Sequence, residues 1–175
     1  MPGPSLVDIP LDRFVAQHDR PSGVDEVDFA ALSAYHRTLL AQDGLTTGVI
    51  EAWWLEPVTV RLVSQHEAAR DDPLRHWLDS VPGPTVLRRQ VTIEGSRSHT
   101  PYLSADSLLA TARLPGLLAD QASRAGIGAA LAAGKMETRR ELLWYGRRAG
   151  AVASRAYRIF VGGVPALLIQ EDFLR

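Results

Sequence analysis

Apolar and polar residues alternate along the last part of the chain. In residues 154–174, SRAYRIFVGGVPALLIQEDFL, two alternating runs flank Gly162-Gly163, which predicts two strands joined by a tight two-glycine turn. In the second run Leu167, Ile169, Glu171 and Phe173 share one face, and Leu168, Gln170, Asp172 and Leu174 share the other. Residues 58–65 (VTVRLVSQ) and 85–93 (TVLRRQVTI) alternate in the same way, and residues 101–109 begin as a strand. The stretch 137–146, ETRRELLWYG, fits either period and is assigned as a strand because its neighbours in sequence are strands.

Helical spacing dominates earlier. Phe29, Leu32, His36, Leu39 and Leu40 predict a helix over residues 25–41, stopped at Gly44. His36 lies in its apolar stripe and reads as a satisfied core histidine. A second helix is expected from Thr46 or Thr47 as cap, through VIEAWWLE, to Pro57. Trp53, Trp54 and Trp144 read as core. PLRHWLD suggests one helical turn, residues 117–124 a short helix, and Gly126-Ile127-Gly128 the opening of another over 129–133. Residues 1–25 carry Pro2, Pro4, Pro10 and Pro21 and read as an extended arm with one turn near 11–17; residues 26–175 read as a single domain. The order of elements is that of an α+β fold, with a largely antiparallel sheet and helices gathered on one side.

Composition narrows the function. The chain has 175 residues and a net charge of -1, which speaks against wholesale nucleic-acid or membrane binding. It has no cysteine, so disulfides, thiolate nucleophiles and Cys-ligated metals are excluded, and a cytoplasmic location is expected. MPGPSLVDIP lacks the features of a signal peptide, and no apolar run reaches the roughly 20 residues of a membrane span. The five histidines are scattered without metal-binding spacing. Neither a GxSxG elbow nor a GxGxxG loop is present. Of 19 basic residues only Lys135 is lysine, a bias associated with high-GC genomes.

Two charges break the alternation. Glu171 stands in phase with Leu167, Ile169 and Phe173; Arg89 stands in phase with Leu87, Val91 and Ile93. A charge on a core-facing row is costly without a partner. Either each is paired, with the other or with a further group, in a buried salt bridge, or the two line an apolar cavity and hold opposite ends of a small ligand. The arginine fork matches a carboxylate, and the glutamate could exchange a hydrogen bond with a hydroxyl. The turn DGLTT, with backbone N–H groups at a helix start, is a candidate anion site, and so is Gly126-Ile127-Gly128. The arginine pairs 139–140 and 147–148 are either solvated edges or contacts for a second carboxylate.

The set DGLTT, VLRRQVTIEG, ETRRELLWYGRR and SRAYRIFVGGVPALLIQEDFL, in this order and spacing, resembles the chorismate pyruvate-lyases over residues 28–174, with closer similarity to the actinobacterial branch that makes 4-hydroxybenzoate. The resemblance implies a six-stranded antiparallel sheet whose flanking helices enclose the product. It implies that Arg89 forks the ring carboxylate, that Glu171 meets the ring hydroxyl, and that the backbone N–H groups of Leu45 and Ile127 complete the carboxylate site. Arg89 and Glu171 would then be catalytic, and no metal or cofactor is expected. A monomer is expected, with a dimer as the alternative. The sequence departs from the better-known proteobacterial enzymes at Asp106, where they carry an arginine. That removes a contact for the second carboxylate of chorismate, for which Arg97, Arg139 or Arg155 could substitute. Two other readings stay open: another reaction in specialised metabolism on the same scaffold, and a non-catalytic binder of small aromatic acids.

Overall fold

A computed structural model describes residues 13–79, 86–114, 127, 130, 131 and 137–175. Six strands form one antiparallel sheet: β1 (Val58–Glu67), β2 (Val86–Gly95), β3 (Pro101–Ala110), β4 (Thr138–Gly146), β5 (Ala153–Val161) and β6 (Val164–Phe173), in the order β1-β2-β3-β6-β5-β4. The ambiguous stretch around residues 137–146 is therefore strand. Gly162 and Gly163 both have positive φ, 58° and 81°, as a tight turn matched to the right-handed twist of a hairpin requires.

The first helix is shorter than its apolar spacing predicts. Asp28 caps a 3-10 turn, Phe29–Ala31, and the chain then extends through Leu32 and Ser33. Ser33 caps α1, Ala34–Ala41, by accepting from the His36 N–H. Two residues that favour caps thus divide one predicted helix. His36 lies at the surface side of α1, where its ring nitrogens meet Ser33 Oγ and the Arg175 carbonyl, each at 2.8 Å. The second helix, α2, runs Thr46–Trp54 and ends with Leu55 in the left-handed region. Its N-cap is Leu45, without a side-chain cap bond.

Both faces of the sheet are covered. On one, Leu39, Leu40 and Ile50 from the two α-helices pack on Leu103, Leu167 and Phe173. On the other, Trp144, Leu108, Leu143 and Leu168 form a second core with Leu78 and Ala16. The α-helices are on one side as expected, but the back is closed by a six-residue 3-10 segment, Pro73–Leu78. The described part of the N-terminal arm runs along the edge of β4: Phe14 bridges Leu142, and Val15 and Ala16 donate to the Leu142 and Leu143 carbonyls. Among the arm's described residues, Gln17–Asp19 form a 3-10 turn, while the turn expected near 11–17 falls partly outside the described residues. The helix expected at 117–124 lies outside the described residues; Ile127, Ala130 and Leu131 are helical.

Trp144 is fully buried, but Trp53 and Trp54 are about half exposed, contrary to the core assignment. They cover tyrosines instead, Trp53 stacking on Tyr35 and Trp54 on Tyr102. Beneath them Glu56 fastens the end of α2 to the β2–β3 turn. It accepts from Ser98 Oγ (2.6 Å), Tyr102 Oη (2.5 Å) and the backbone N–H groups of Arg97 and Ser98. Gly95 leaves the room: a Cβ there would collide with the Glu56 carboxylate. The bonds from Ser98 and then Tyr102 hold the Glu56 carboxyl at about 2, below its ordinary value of 4.5. A depressed folded-state pKa stabilises the fold above the unfolded value, and that contribution is lost as pH falls toward the folded value. Thermal unfolding of the wild type should therefore weaken more steeply between pH 5 and pH 2.5 than that of Glu56→Gln. Parallel melting curves for the two proteins over that range would count against this role.

Candidate functional site

The strand registers gather the anomalous residues on the helix-covered face. Arg89 on β2 stands beside Ser107, which stands beside Ile169; one row along, Val91, Ala105 and Glu171 follow in line. Between this face and the start of α2 lies a cavity of about 100 Å³. Arg89, Glu171, Leu45 and Ile127, the four residues singled out in the sequence, all line it. Its remaining walls are mostly apolar, with Val91, Ile93 and Ile169 among them. Arg89 is 2% exposed and Glu171 5%, whereas Leu45 is 43% exposed and marks the rim.

Glu171 has a partner that sequence reading did not assign to it. Arg155, adjacent on β5, donates from Nε to Oε2 at 2.8 Å. Its other nitrogens reach the Leu40 and Gln42 carbonyls at the end of α1, at 3.2 and 2.7 Å, and Thr46 Oγ1 at 3.0 Å. A cation there also complements the negative end of α1. Thr46 Oγ1 accepts from Gln42 as well and donates its one proton to Glu171 at 3.1 Å. That hydroxyl is spent on the site, which is why Thr46 does not cap α2. Tyr157 Oη donates to Glu171 Oε1 at 3.1 Å. Burial, followed by the Glu171 charge, pushes the Tyr157 phenol well above its ordinary value, so it stays a donor. Three donors thus converge on Glu171, the arrangement of an ionised carboxylate. Burial lowers the Arg89 pKa, and a carboxylate brought against its fork would restore solvation lost on folding.

Glu171 and Arg89 are separated by β3, about two strand spacings or ~10 Å between backbones. Of the two readings of the buried charges, the salt bridge applies to Glu171 with Arg155, and the cavity reading describes where Arg89 and Glu171 stand. The arginine departure at 106 falls elsewhere. Asp106 lies one residue out of phase with the cavity row, beside Gln90 and Gln170, and accepts from Arg88 Nε at 3.0 Å. Among the substitutes considered, Arg97 donates to the Leu55 carbonyl and Arg139 pairs with Glu141 over the Phe160 ring. Neither lines the cavity. Arg140, the other member of that pair, does.

A six-stranded antiparallel sheet with two α-helices packed over one face defines an α+β fold, and solved structures share it. The effector domain of PhnF from Mycobacterium smegmatis matches with a TM-score of 0.51 at 14% identity, over 74% of this chain and 88% of that one. The structure of PhnF itself gives 0.54 at 14% identity, over 75% of this chain and 64% of that one. These likenesses speak for the fold alone. The family is given by sequence: the model for "Chorismate pyruvate-lyase Rv2949c-like" matches residues 40–174, and the chain belongs to that family. Relatives named chorismate pyruvate-lyase are 29% identical in Mycobacterium tuberculosis, over 79% of both chains, and 26% identical in Mycobacterium leprae, over 79% of this chain and 73% of that one. Among the described residues no helix is long and apolar enough to cross a membrane.

Proposed function

We propose that this protein is a cytoplasmic chorismate pyruvate-lyase that converts chorismate to 4-hydroxybenzoate and pyruvate. One observation carries the reading: Arg89 and Glu171 share a cavity whose remaining walls are mostly apolar, at positions suited to a carboxylate and to the hydroxyl across the ring from it. Arg89 forks the ring carboxylate, with the backbone N–H groups of Leu45 and Ile127 beside it. Glu171, held by Arg155, Thr46 and Tyr157, accepts from the 4-hydroxyl. In the reaction the C4–H bond and the C3–O bond of the ether break, and enolpyruvate leaves as pyruvate. Aromatisation drives the step, so the chemistry requires no cofactor, and the protein contributes orientation and exclusion of water.

The cavity, about 100 Å³, is smaller than the roughly 150 Å³ that accommodates benzene in an apolar core. Substrate entry therefore moves the rim, where Leu45 stands. The purified protein incubated with chorismate should release pyruvate and 4-hydroxybenzoate in equal amounts, read by coupled lactate dehydrogenase and by chromatography. Tight binding of 4-hydroxybenzoate without any pyruvate would replace the enzyme with a binder. Absence of both would remove this substrate class.

A further inference from the structure

The charges on the cavity face do not end with Arg89 and Glu171. Arg140 on β4 also lines the cavity, on the far side of Glu171 from Arg89. The sheet order β2-β3-β6-β5-β4 places Arg89, Glu171 and Arg140 on alternate strands. The sequence of charges is therefore cation, anion, cation, at intervals of about two strand spacings, or ~10 Å between backbones. Arg155 already balances Glu171. Arg140 makes no ion pair with an acid among the described residues. One of its nitrogens, Nη1, donates to the Asp43 carbonyl at 2.6 Å, and the guanidinium lies 5.7 Å from the Tyr157 ring centre. The Asp43 carboxylate is turned to Arg13 instead. Unlike Arg89, Arg140 is only half-buried, and it stands at the rim with Leu45.

We propose that Arg140 is a specificity-determining residue that binds a second carboxylate, carried on an arm beside the ligand hydroxyl. Resting on the reading that the cavity takes a chorismate-like ring, it assigns the enolpyruvyl carboxylate to Arg140 and the ring carboxylate to Arg89. A ring seated between Arg89 and Glu171 directs a substituent next to its hydroxyl toward β5 and β4, where Tyr157 and then Arg140 follow. A dianion then meets two arginines, whereas the aromatic product, which has lost the arm, keeps only one. The site thereby binds substrate and product through different sets of charges, and product gains nothing from Arg140.

The test compares two stable ligands by calorimetry on the whole protein: 4-hydroxybenzoate, and 3-(carboxymethoxy)-4-hydroxybenzoate, which adds a carboxylate on an ether next to the hydroxyl. Arg140→Gln should weaken the dicarboxylate about 30-fold and change 4-hydroxybenzoate by less than about twofold, with Arg140→Lys in between. In turnover the same variant should raise KM for chorismate with little change in kcat, the signature of lost uniform binding. Equal weakening of both ligands would assign Arg140 to holding the Asp43 turn and overturn the proposal, as would no weakening of either. Because the ligands need no turnover, a protein inactive on chorismate that still shows the selective loss would defeat the lyase reading and leave Arg140's role standing.

Discussion

Arg89→Ala should abolish the site while leaving the fold standing. On the proposed reading the ring carboxylate loses its charge-assisted contact with the buried arginine fork and keeps only neutral donors. The affinity for 4-hydroxybenzoate should fall by about two to three orders of magnitude, and kcat/KM for chorismate by at least as much. Arg89→Lys should recover little, because a point charge cannot reproduce the planar fork. Melting temperature separates this from unfolding: the loss of affinity should appear in a protein that still melts cooperatively. Unchanged affinity and turnover in Arg89→Ala would remove the ligand reading of the cavity.

Arg155→Met should act in the opposite way, on the fold first and on the site through it. Arg155 is 1% exposed and joins three pieces: Glu171 on β6, the last carbonyls of α1, and Thr46 at the start of α2. Removing it leaves Glu171 as a buried carboxylate without its cation. Breaking a buried pair in this way costs about 3–5 kcal/mol. In a domain of this size that lowers the melting temperature by on the order of 10 °C. The double variant Arg155→Met, Glu171→Leu should recover much of the loss, since an apolar pair of similar volume replaces both charges. It should still fail to bind 4-hydroxybenzoate with native affinity, because the group proposed to meet the hydroxyl is gone. A single variant within about 1 kcal/mol of wild type would show that the bridge is dispensable. A double variant no more stable than the single would show that the network as a whole, and not the orphaned charge, sets the cost.

These predictions divide along what could be read in one dimension. Side-chain alternation placed Glu171 and Arg89 on apolar rows, and the strand registers put both rows on the same face of the sheet. That was legible because the period of a strand is two, so phase along a single run already fixes the face. Asp106 belongs to the alternate row of β3, beside Gln90 and Gln170, whereas Ala105 and Ser107 stand in the row of the cavity. Cap competition at Asp28 and Ser33, and the diversion of Thr46 to Glu171, were written in ordinary helix-forming sequence and left no distinct mark.

Arg155 shows where sequence stops. It lies in phase with Tyr157 and Ile159 on β5, so its face follows from alternation alone. Its partner does not. Counting back from the Gly162-Gly163 turn, Val161 pairs with Val164 and Phe160 with Pro165, a register that would set Arg155 opposite Gln170. A bulge between Ile159 and Phe160 adds one residue to β6, and the pairing beyond it becomes Ile159 with Leu167 and Arg155 with Glu171. One extra residue exchanges a neutral amide for the carboxylate of the site. The sequence by itself determined the strands, the faces and the two charges on apolar rows, because those depend on local periodicity. Only the tertiary structure decided which cation balances Glu171, and that Arg140 stands across from Arg89. Those follow from the order of strands and a single bulge, which are set by packing between residues far apart in the chain.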